Sequence, residues 1–347
     1  MSRLAVAIVG DRFMRPDFFV EALQRVDDAG FAIRTLELPW PDEPMVHGYR
    51  DGGLADLKEY FGDPDEIAGF LTGAAVLITH LAPVSAAMLD RLPELRLIAV
   101  SRGGPVNIDR AAARARGVAV VNAPGRNASA VAEFTIGAIL AETRRITRGH
   151  DAMRRGLWRG DLYRADMAGD ELSAMTVGLV GLGYVGGRVL RLLKPFGCRI
   201  LVADPYVSPD PADLADGVEA VDLDTLLHRS DVVSLHARVT AETRGLIGRR
   251  EFGLMKDGAY FINTARGPLV DYDALYDALT GGKLRGAMLE TFAIEPPPAG
   301  WPLLALDNVT LTPHIAGASL TTVRRAAAMI AEEIRRFVAG EPFANPA

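Results

Sequence analysis

Arg266, Glu295 and His314 each stand just beyond a short apolar run: FINTA before Arg266, GAMLETF before Glu295, and NVTLTP before His314. If the runs are strands of an open α/β sheet, all three residues lie past C-terminal strand ends, where such sheets bind ligands. An arginine can grip a carboxylate at two points and polarise the carbonyl beside it. A histidine gives or takes one proton near neutral pH, and a neighbouring glutamate favours its charged form. An anchor, an acid and a tuner of that acid are what hydride transfer to a 2-oxo acid requires. Taken singly, each has an everyday alternative: a surface ion pair for the arginine, a satisfied loop residue for the histidine.

A second constellation concerns a cofactor. In MTVGLVGLGYVGGRVLRLLKPFG (175–197) an apolar run gives way to Gly181-x-Gly183-x-x-Gly186, after which Val185, Val189, Leu190, Leu192 and Leu193 form a helical stripe beginning near Tyr184. The first glycine permits a tight turn, the second lets a diphosphate approach the backbone, and the third lets helix and strand pack closely, while N–H groups at the helix start meet the phosphates. Glycines here can also be turn punctuation. The next run, RILVAD, ends in Asp204, 18 residues beyond Gly186. That is near the spacing at which a carboxylate accepts hydrogen bonds from ribose hydroxyls and repels a 2′-phosphate, which favours NAD over NADP. Asp204 can alternatively be a turn residue before Pro205.

The elements that must position these residues follow from the rhythm of the chain. LAVAIVG, AAVLITH, LRLIAVS and VAVVN are followed, after a helical stretch, by TVGLVG, RILVADP, DVVSLH, AYFINTA, GAMLET and NVTLTPH. The runs are continuous rather than alternating, as in parallel strands covered on both faces by helices, so the expectation is two doubly wound α/β sheets. Between them, Val131, Phe134, Ile136, Ile139 and Leu140 recur at helical spacing in a long connecting helix starting near Ser129. A last helix from Ser319 presents Val323, Ala327, Ile330, Ile334 and Phe337 on one face and is expected to fold back on the N-terminal part. The expected domains are therefore 1–125 with 318–347, and 126–317 inserted between them.

Composition narrows the partners. The chain has 347 residues, 49% of them hydrophobic, enough for two cores. Its net charge of −6 comes from 38 basic and 44 acidic residues, with no basic run to suggest nucleic acid. A single cysteine, Cys198, excludes an internal disulfide and suits a reducing compartment. The first apolar run is too short for a membrane span and lacks a cleavage pattern, so a cytoplasmic protein with a small-molecule substrate is expected.

GLVGLGYVGGRV, DPY, INTARGPLVD, the Glu295-Pro296 dipeptide and LTPHIAGAS together resemble the D-isomer-specific 2-hydroxyacid dehydrogenases, the family of phosphoglycerate dehydrogenase and hydroxypyruvate/glyoxylate reductases. The resemblance is ordered over about 95–320 and looser over the first 90 residues. It implies a Rossmann-like NAD domain inserted into a discontinuous, flavodoxin-like substrate domain, with the active site in the cleft. It also implies that Arg266 binds substrate, His314 is the general acid/base, and Glu295 pairs with that histidine. Cofactor contacts are implied at Gly181, Gly183, Tyr184, Val185, Gly186, Asp204, His236, Ala237, Arg238, Thr243, Thr264, Ala265, Arg266, Glu290, His314 and Gly317. Arg102, Gly103 and Gly104, in SRGGPVN, are similar to the segment that receives the substrate carboxylate, and His80 occupies the approximate place of the family's substrate loop. Dimerisation is the family's habit, with the helix and arm over 128–165 as the expected interface and Trp158 either its anchor or ordinary core.

The chain also departs from the family pattern. Glu290 replaces the usual aspartate beside the nicotinamide carboxamide, Phe134 stands where a histidine is frequent, and His236-Ala-Arg238 replaces His-x-Pro. Arg238 then either selects an anionic substrate or salt-bridges a loop. His80 either reaches the substrate or satisfies a local backbone group. The sequence ends at Ala347 without the further domain of some phosphoglycerate dehydrogenases, so serine feedback through such a domain is not expected. Arg102, Arg126, Arg238 and His80 hint at a polar or phosphorylated sugar acid. A rival function is a dinucleotide-sensing scaffold of the corepressor type; a formate or phosphite dehydrogenase fits the substrate loops less well.

Overall fold

Apolar runs without polar alternation need cover on both faces, and all ten runs named above are parallel strands in the computed structural model, which describes residues 3–27, 30–40, 54 and 57–347. The chain divides into two compact units, 1–127 with 318–347, and 128–317. The first holds β1 (Leu4–Asp11), β2 (Phe31–Leu38), β3 (Val76–Thr79), β4 (Leu97–Val100) and β5 (Ala119–Asn122) in the order β2-β1-β3-β4-β5. The helices Pro16–Val26 and Leu320–Ala339 close one face over Ile8, Ile78 and Leu97. Ile67, Leu71 and Met88 close the other over Val9, Leu77 and Ile98.

The helix Leu320–Ala339 starts where expected because Ser319 caps it, its Oγ accepting the Thr322 N–H. Val323, Ala327, Ile330 and Ile334 are buried within the first unit. Each of the valine and isoleucine side chains taken from water is worth about 1.5–3 kcal/mol, which fastens the returning segment to the N-terminal sheet.

The second unit holds β6 (Thr176–Val180), β7 (Arg199–Ala203), β8 (Glu219–Ala220), β9 (Val232–Leu235), β10 (Ala259–Asn263), β11 (Leu284–Leu289) and β12 (Val309–Leu311). Their order is β12-β11-β10-β9-β6-β7-β8, all parallel. The strand order therefore reverses between β6 and β9, as in a dinucleotide-binding fold. Two strands, β2 and β8, were not expected from sequence. Both are edge strands, and the exposure of β2 alternates along its length, so neither carries the continuous apolar signature.

The connecting helix is shorter than expected. It runs Ala128–Thr143, breaks at Arg145, whose φ is +54°, and resumes as Ile146–Arg154. Thr143 back-bonds to the Ile139 carbonyl in the last turn, where a side-chain acceptor competes with continued helix. The helix after the glycines also begins later than Tyr184, at Gly186. Cys198 is half-buried, and burial raises its thiol pKa. Among the described residues no helix is long and apolar enough to cross a membrane.

Candidate functional site

The three glycines after β6 have separate physical reasons. Gly181 has φ +95°, and a side chain there would press on the His236 and Ala237 backbone beyond β9. A Cβ on Gly186 would run into the Gly181 carbonyl, so strand and helix approach as closely as they do only with glycine at that position. A Cβ on Gly183, by contrast, would meet nothing within 4 Å. The second glycine therefore faces open space at a helix start, the requirement for a diphosphate drawn against the backbone.

Asp204, one residue beyond β7, joins this turn. Its Oδ2 accepts the Leu182 N–H at 2.7 Å and its Oδ1 the N–H groups of Tyr206 and Val207 at 2.8 and 3.0 Å. A carboxylate so held keeps lone pairs for ribose hydroxyls. Beyond β9, burial pushes the His236 pKa down to about 3; its Nε2 lies 3.1 Å from Ser234 Oγ and its enclosed Nδ1 has no partner. An unpartnered imidazole nitrogen at the sheet's reversal, next to the glycine turn, fits a bound ligand supplying the missing hydrogen bond. The residues present thus suit an adenine dinucleotide.

The remaining cofactor candidates divide. Tyr184 is exposed and Val185 packs into the core beneath the turn. Arg238 is exposed, its carbonyl accepting the Thr243 hydroxyl at 2.6 Å. Ala265 packs at the edge of the core, and Gly317 is half-buried at the end of the unit. The Thr264 hydroxyl is buried against Thr135 of the helix Ala128–Thr143, 2.8 Å away, so its side chain serves packing there.

The chemistry-bearing residues come together beyond β10, β11 and β12. Glu295 Oε2 lies 2.8 Å from His314 Nδ1, while its Oε1 accepts the Phe292 N–H at 2.8 Å. The carboxylate is thereby oriented by backbone before it orients the imidazole. Gly267 decides the approach of Arg266, because a Cβ there would collide with the Phe292–Ala293 backbone. Arg266 follows at the turn held by Asn263, whose Nδ2 donates to the Arg266 carbonyl at 3.0 Å. Burial lowers the guanidinium pKa against the opposing charge of Glu295, and its Nη1 donates to the Ala265 carbonyl at 2.7 Å.

His314 has φ +54°, a left-handed conformation uncommon outside glycine. Its N–H donates to the Glu290 carbonyl at 3.0 Å. The Glu290 side chain completes the restraint: one oxygen accepts the Thr312 hydroxyl and the other the Ala316 N–H, two residues before and two after the histidine. Fully buried, Glu290 has its carboxyl pKa raised by desolvation. The glutamate thus clamps the loop that carries the imidazole. Sequence reasoning placed Glu290 near the cofactor and did not foresee this clamp. The TPHIAG segment alone gives no sign that a carboxylate from β11 closes over it.

In the first unit, Arg102 is engaged by Glu59, donating to its carbonyl at 2.9 Å and to its carboxylate. Gly103 and Gly104 are exposed, and among the described residues their N–H groups have no acceptor. His80 is buried and its Nδ1 meets Asp11 Oδ2 at 2.6 Å. Asp11 was not singled out from sequence, since an aspartate ending a strand usually serves a turn.

Comparison with known proteins adds the family. Residues 136–316 match the model of the D-isomer specific 2-hydroxyacid dehydrogenase NAD-binding domain, more than half of the chain. The chain belongs to the D-isomer specific 2-hydroxyacid dehydrogenase family. NAD is the cofactor of this domain, and the second unit is its fold. The D-3-phosphoglycerate dehydrogenase of Archaeoglobus fulgidus is 40% identical over 307 residues, 88% of this chain and 57% of that protein. The glyoxylate reductase of Thermofilum pendens is 41% identical over 308 residues, 88% of this chain and 91% of the relative. Against the apo D-mandelate dehydrogenase of Rhodotorula graminis the TM-score is 0.80 at 27% identity, covering 100% of this chain and 98% of the other. The chain spans little more than half the length of the phosphoglycerate dehydrogenase it matches. These family members are named as oxidoreductases, and the corepressor reading gains no support from them.

Proposed function

We propose that the protein interconverts a D-2-hydroxy acid and its 2-oxo acid with NAD(H). The observation that carries this reading is the Glu295–His314 pair, 2.8 Å apart beyond the ends of β11 and β12. Arg266 grips the substrate carboxylate at two points and draws electron density from the adjacent carbonyl. The turn at Gly181, Gly183 and Gly186 and the carboxylate of Asp204 hold the cofactor, which when bound supplies hydride to C2 or accepts it in the reverse direction. With Nδ1 committed to Glu295, His314 carries the exchanged proton at Nε2, donating it to the forming alkoxide and recovering it when a hydroxy acid is oxidised. Glu295 stabilises the protonated ring. In the first unit, the N–H groups of Gly103 and Gly104 are exposed and available to an anionic group.

Oxidation of NADH by the purified protein against a panel of small 2-oxo acids tests this reading. Turnover that is lost in His314→Asn while NADH still binds is expected. Tight NADH binding without turnover of any 2-oxo acid overturns it.

A homodimer built on the segment 128–165 in a reducing, cytoplasmic setting completes the proposal. Its support is the exposure of Ile146, Met153, Leu157, Trp158 and Tyr163, at 59%, 56%, 53%, 84% and 95% respectively. So many exposed large apolar side chains on one segment suit an interface. Trp158 belongs to this surface and not to the core.

A further inference from the structure

His314 stands in a loop that the sheet alone does not hold. The ladder between β11 and β12 pairs Leu289 with Leu311 and then runs out. Beyond it the Thr312 N–H reaches the Leu289 carbonyl at 3.1 Å, Pro313 has no N–H to give, and the His314 N–H reaches the Glu290 carbonyl at 3.0 Å. The chain then turns at His314 itself, through its left-handed φ of +54°, and Ile315 after it is exposed. A residue other than glycine keeps such a conformation only where its surroundings over-determine it.

Glu290 supplies the restraint. One carboxylate oxygen accepts the Thr312 hydroxyl and the other the Ala316 N–H, so a single side chain ties the loop down on both sides of the histidine. The side chain is 0% exposed, which leaves no open face of it toward a cofactor or substrate group. Reach is what makes this possible. An aspartate at the same backbone position ends one methylene sooner, about 1.5 Å short, and draws back from both donors at once.

Two carboxylates therefore set the imidazole, with different duties. Glu295, 2.8 Å from Nδ1, fixes the tautomer and rotation of the ring. Glu290 fixes the backbone from which the ring projects.

We infer that Glu290 is a positioning residue for the proton transfer at His314, acting through Thr312 and Ala316 on the histidine's backbone and not by contact with cofactor or substrate. What it contributes is length and hydrogen-bonding capacity, not charge. Glutamine meets that need: its amide oxygen accepts the Ala316 N–H, and its NH2 group donates to the Thr312 hydroxyl, which turns to accept. Aspartate keeps the charge and loses the reach. The inference rests on the oxidoreductase reading above, in which His314 carries the exchanged proton.

Steady-state kinetics of Glu290→Asp, Glu290→Gln, Thr312→Val and Thr312→Ser test it, with the 2-oxo acid that the wild type reduces fastest. A displacement of about 1 Å at a reacting group can cost about 10²-fold, so Glu290→Asp should lower kcat by about 10–100-fold while NADH affinity stays near wild type. Thr312→Val, which removes one of the two ties, should lower kcat by about tenfold. Glu290→Gln and Thr312→Ser, which can remake the bonds, should keep most of it. The isotope effect with NADH deuterated at the transferred position should rise in the Asp and Val variants, because a misplaced acid slows the chemical step. Loss of folded protein does not produce that rise, and thermal melting checks folding separately. Aspartate that matches glutamate in kcat, glutamine that falls as far as aspartate, or Glu290 variants that weaken NADH binding while kcat holds overturn the inference. NMR of protein labelled with 15N in its histidines, where the His314 signal is the one lost in His314→Asn, separates this inference from the reading beneath it. A ring signal displaced in Glu290→Asp and kept in Glu290→Gln, in a protein that reduces no 2-oxo acid, retains the clamp and sinks the oxidoreductase reading. Turnover by the wild type with the signal undisturbed in Glu290→Asp does the reverse.

Discussion

Glu142 links the helix Ala128–Thr143 to β12, the strand that leads to His314, by accepting the Thr310 hydroxyl, and its other oxygen lies 3.4 Å from Arg148. Burial is the larger influence and raises its pKa from 4.5 to about 7, against the opposing effects of Thr310 and Arg148. A carboxyl that binds its proton more tightly folded than unfolded supports the fold fully below pH 4.5, and that support is lost as pH rises through about 7. At about 1.4 kcal/mol per tenfold in proton affinity, the gap between about 7 and 4.5 is worth about 3 kcal/mol. Glu142→Gln keeps the acceptor for Thr310 and removes the titration. Urea unfolding of both proteins between pH 4 and 8 gives the comparison, with every other titrating group common to the two. The wild type should lose about 3 kcal/mol relative to the variant over that range, roughly a 1 M shift in midpoint for a unit of this size. A difference that stays flat, or that grows in favour of the wild type as pH rises, refutes the reasoning.

His314→Asn should lower kcat by about 10²–10⁴ while NADH affinity, read by fluorescence titration, stays near wild type. Arg266→Lys should reduce kcat/KM for the 2-oxo acid by about 10–100-fold, the worth of a charge-assisted two-point contact replaced by a point charge; an unchanged value removes Arg266 from the substrate. Gly183→Val should weaken NADH binding at unchanged melting temperature, because its side chain enters open space needed by the diphosphate. Gly186→Ala should instead lose about 1–3 kcal/mol of stability through its collision with the Gly181 carbonyl, and equal melting of the two variants would contradict that distinction. Trp158→Ala should weaken self-association by about 2 kcal/mol in a light-scattering dilution series, whereas a wild type that is monomeric at every concentration rules the interface out.

Much of the fold was legible because a central parallel strand has a local signature. LAVAIVG, RILVAD and AYFINTA are apolar on both faces, and such runs mark strands wherever helices cover both sides of a sheet. β2, with Arg34 and Glu37 in its alternating exposure, carried no such mark. The break at Arg145 was equally hidden, since no proline or glycine signals it. At the site, Arg266, Glu295 and His314 could be named from their places after strands, and the glycines and Asp204 from their spacing. Their individual duties were legible too: Gly181 makes the turn at φ +95°, Gly183 faces open space, and Gly186 permits the close approach of helix and strand.

The sequence by itself determined the two parallel-sheet cores, the glycine turn with its acidic partner, and the residue types available for hydride-transfer chemistry, since each depends on local periodicity or on spacing within one βα unit. Tertiary structure alone decided the pairings. Asp11 meets His80 because β1 lies beside β3, although β2 comes between them in sequence. Glu142 meets Thr310 across 168 residues, and Glu290 clamps the His314 loop because β11 and β12 run side by side. Strand order is set by how helices and sheets bury their apolar faces together, a property of the whole chain that no local stretch of residues encodes.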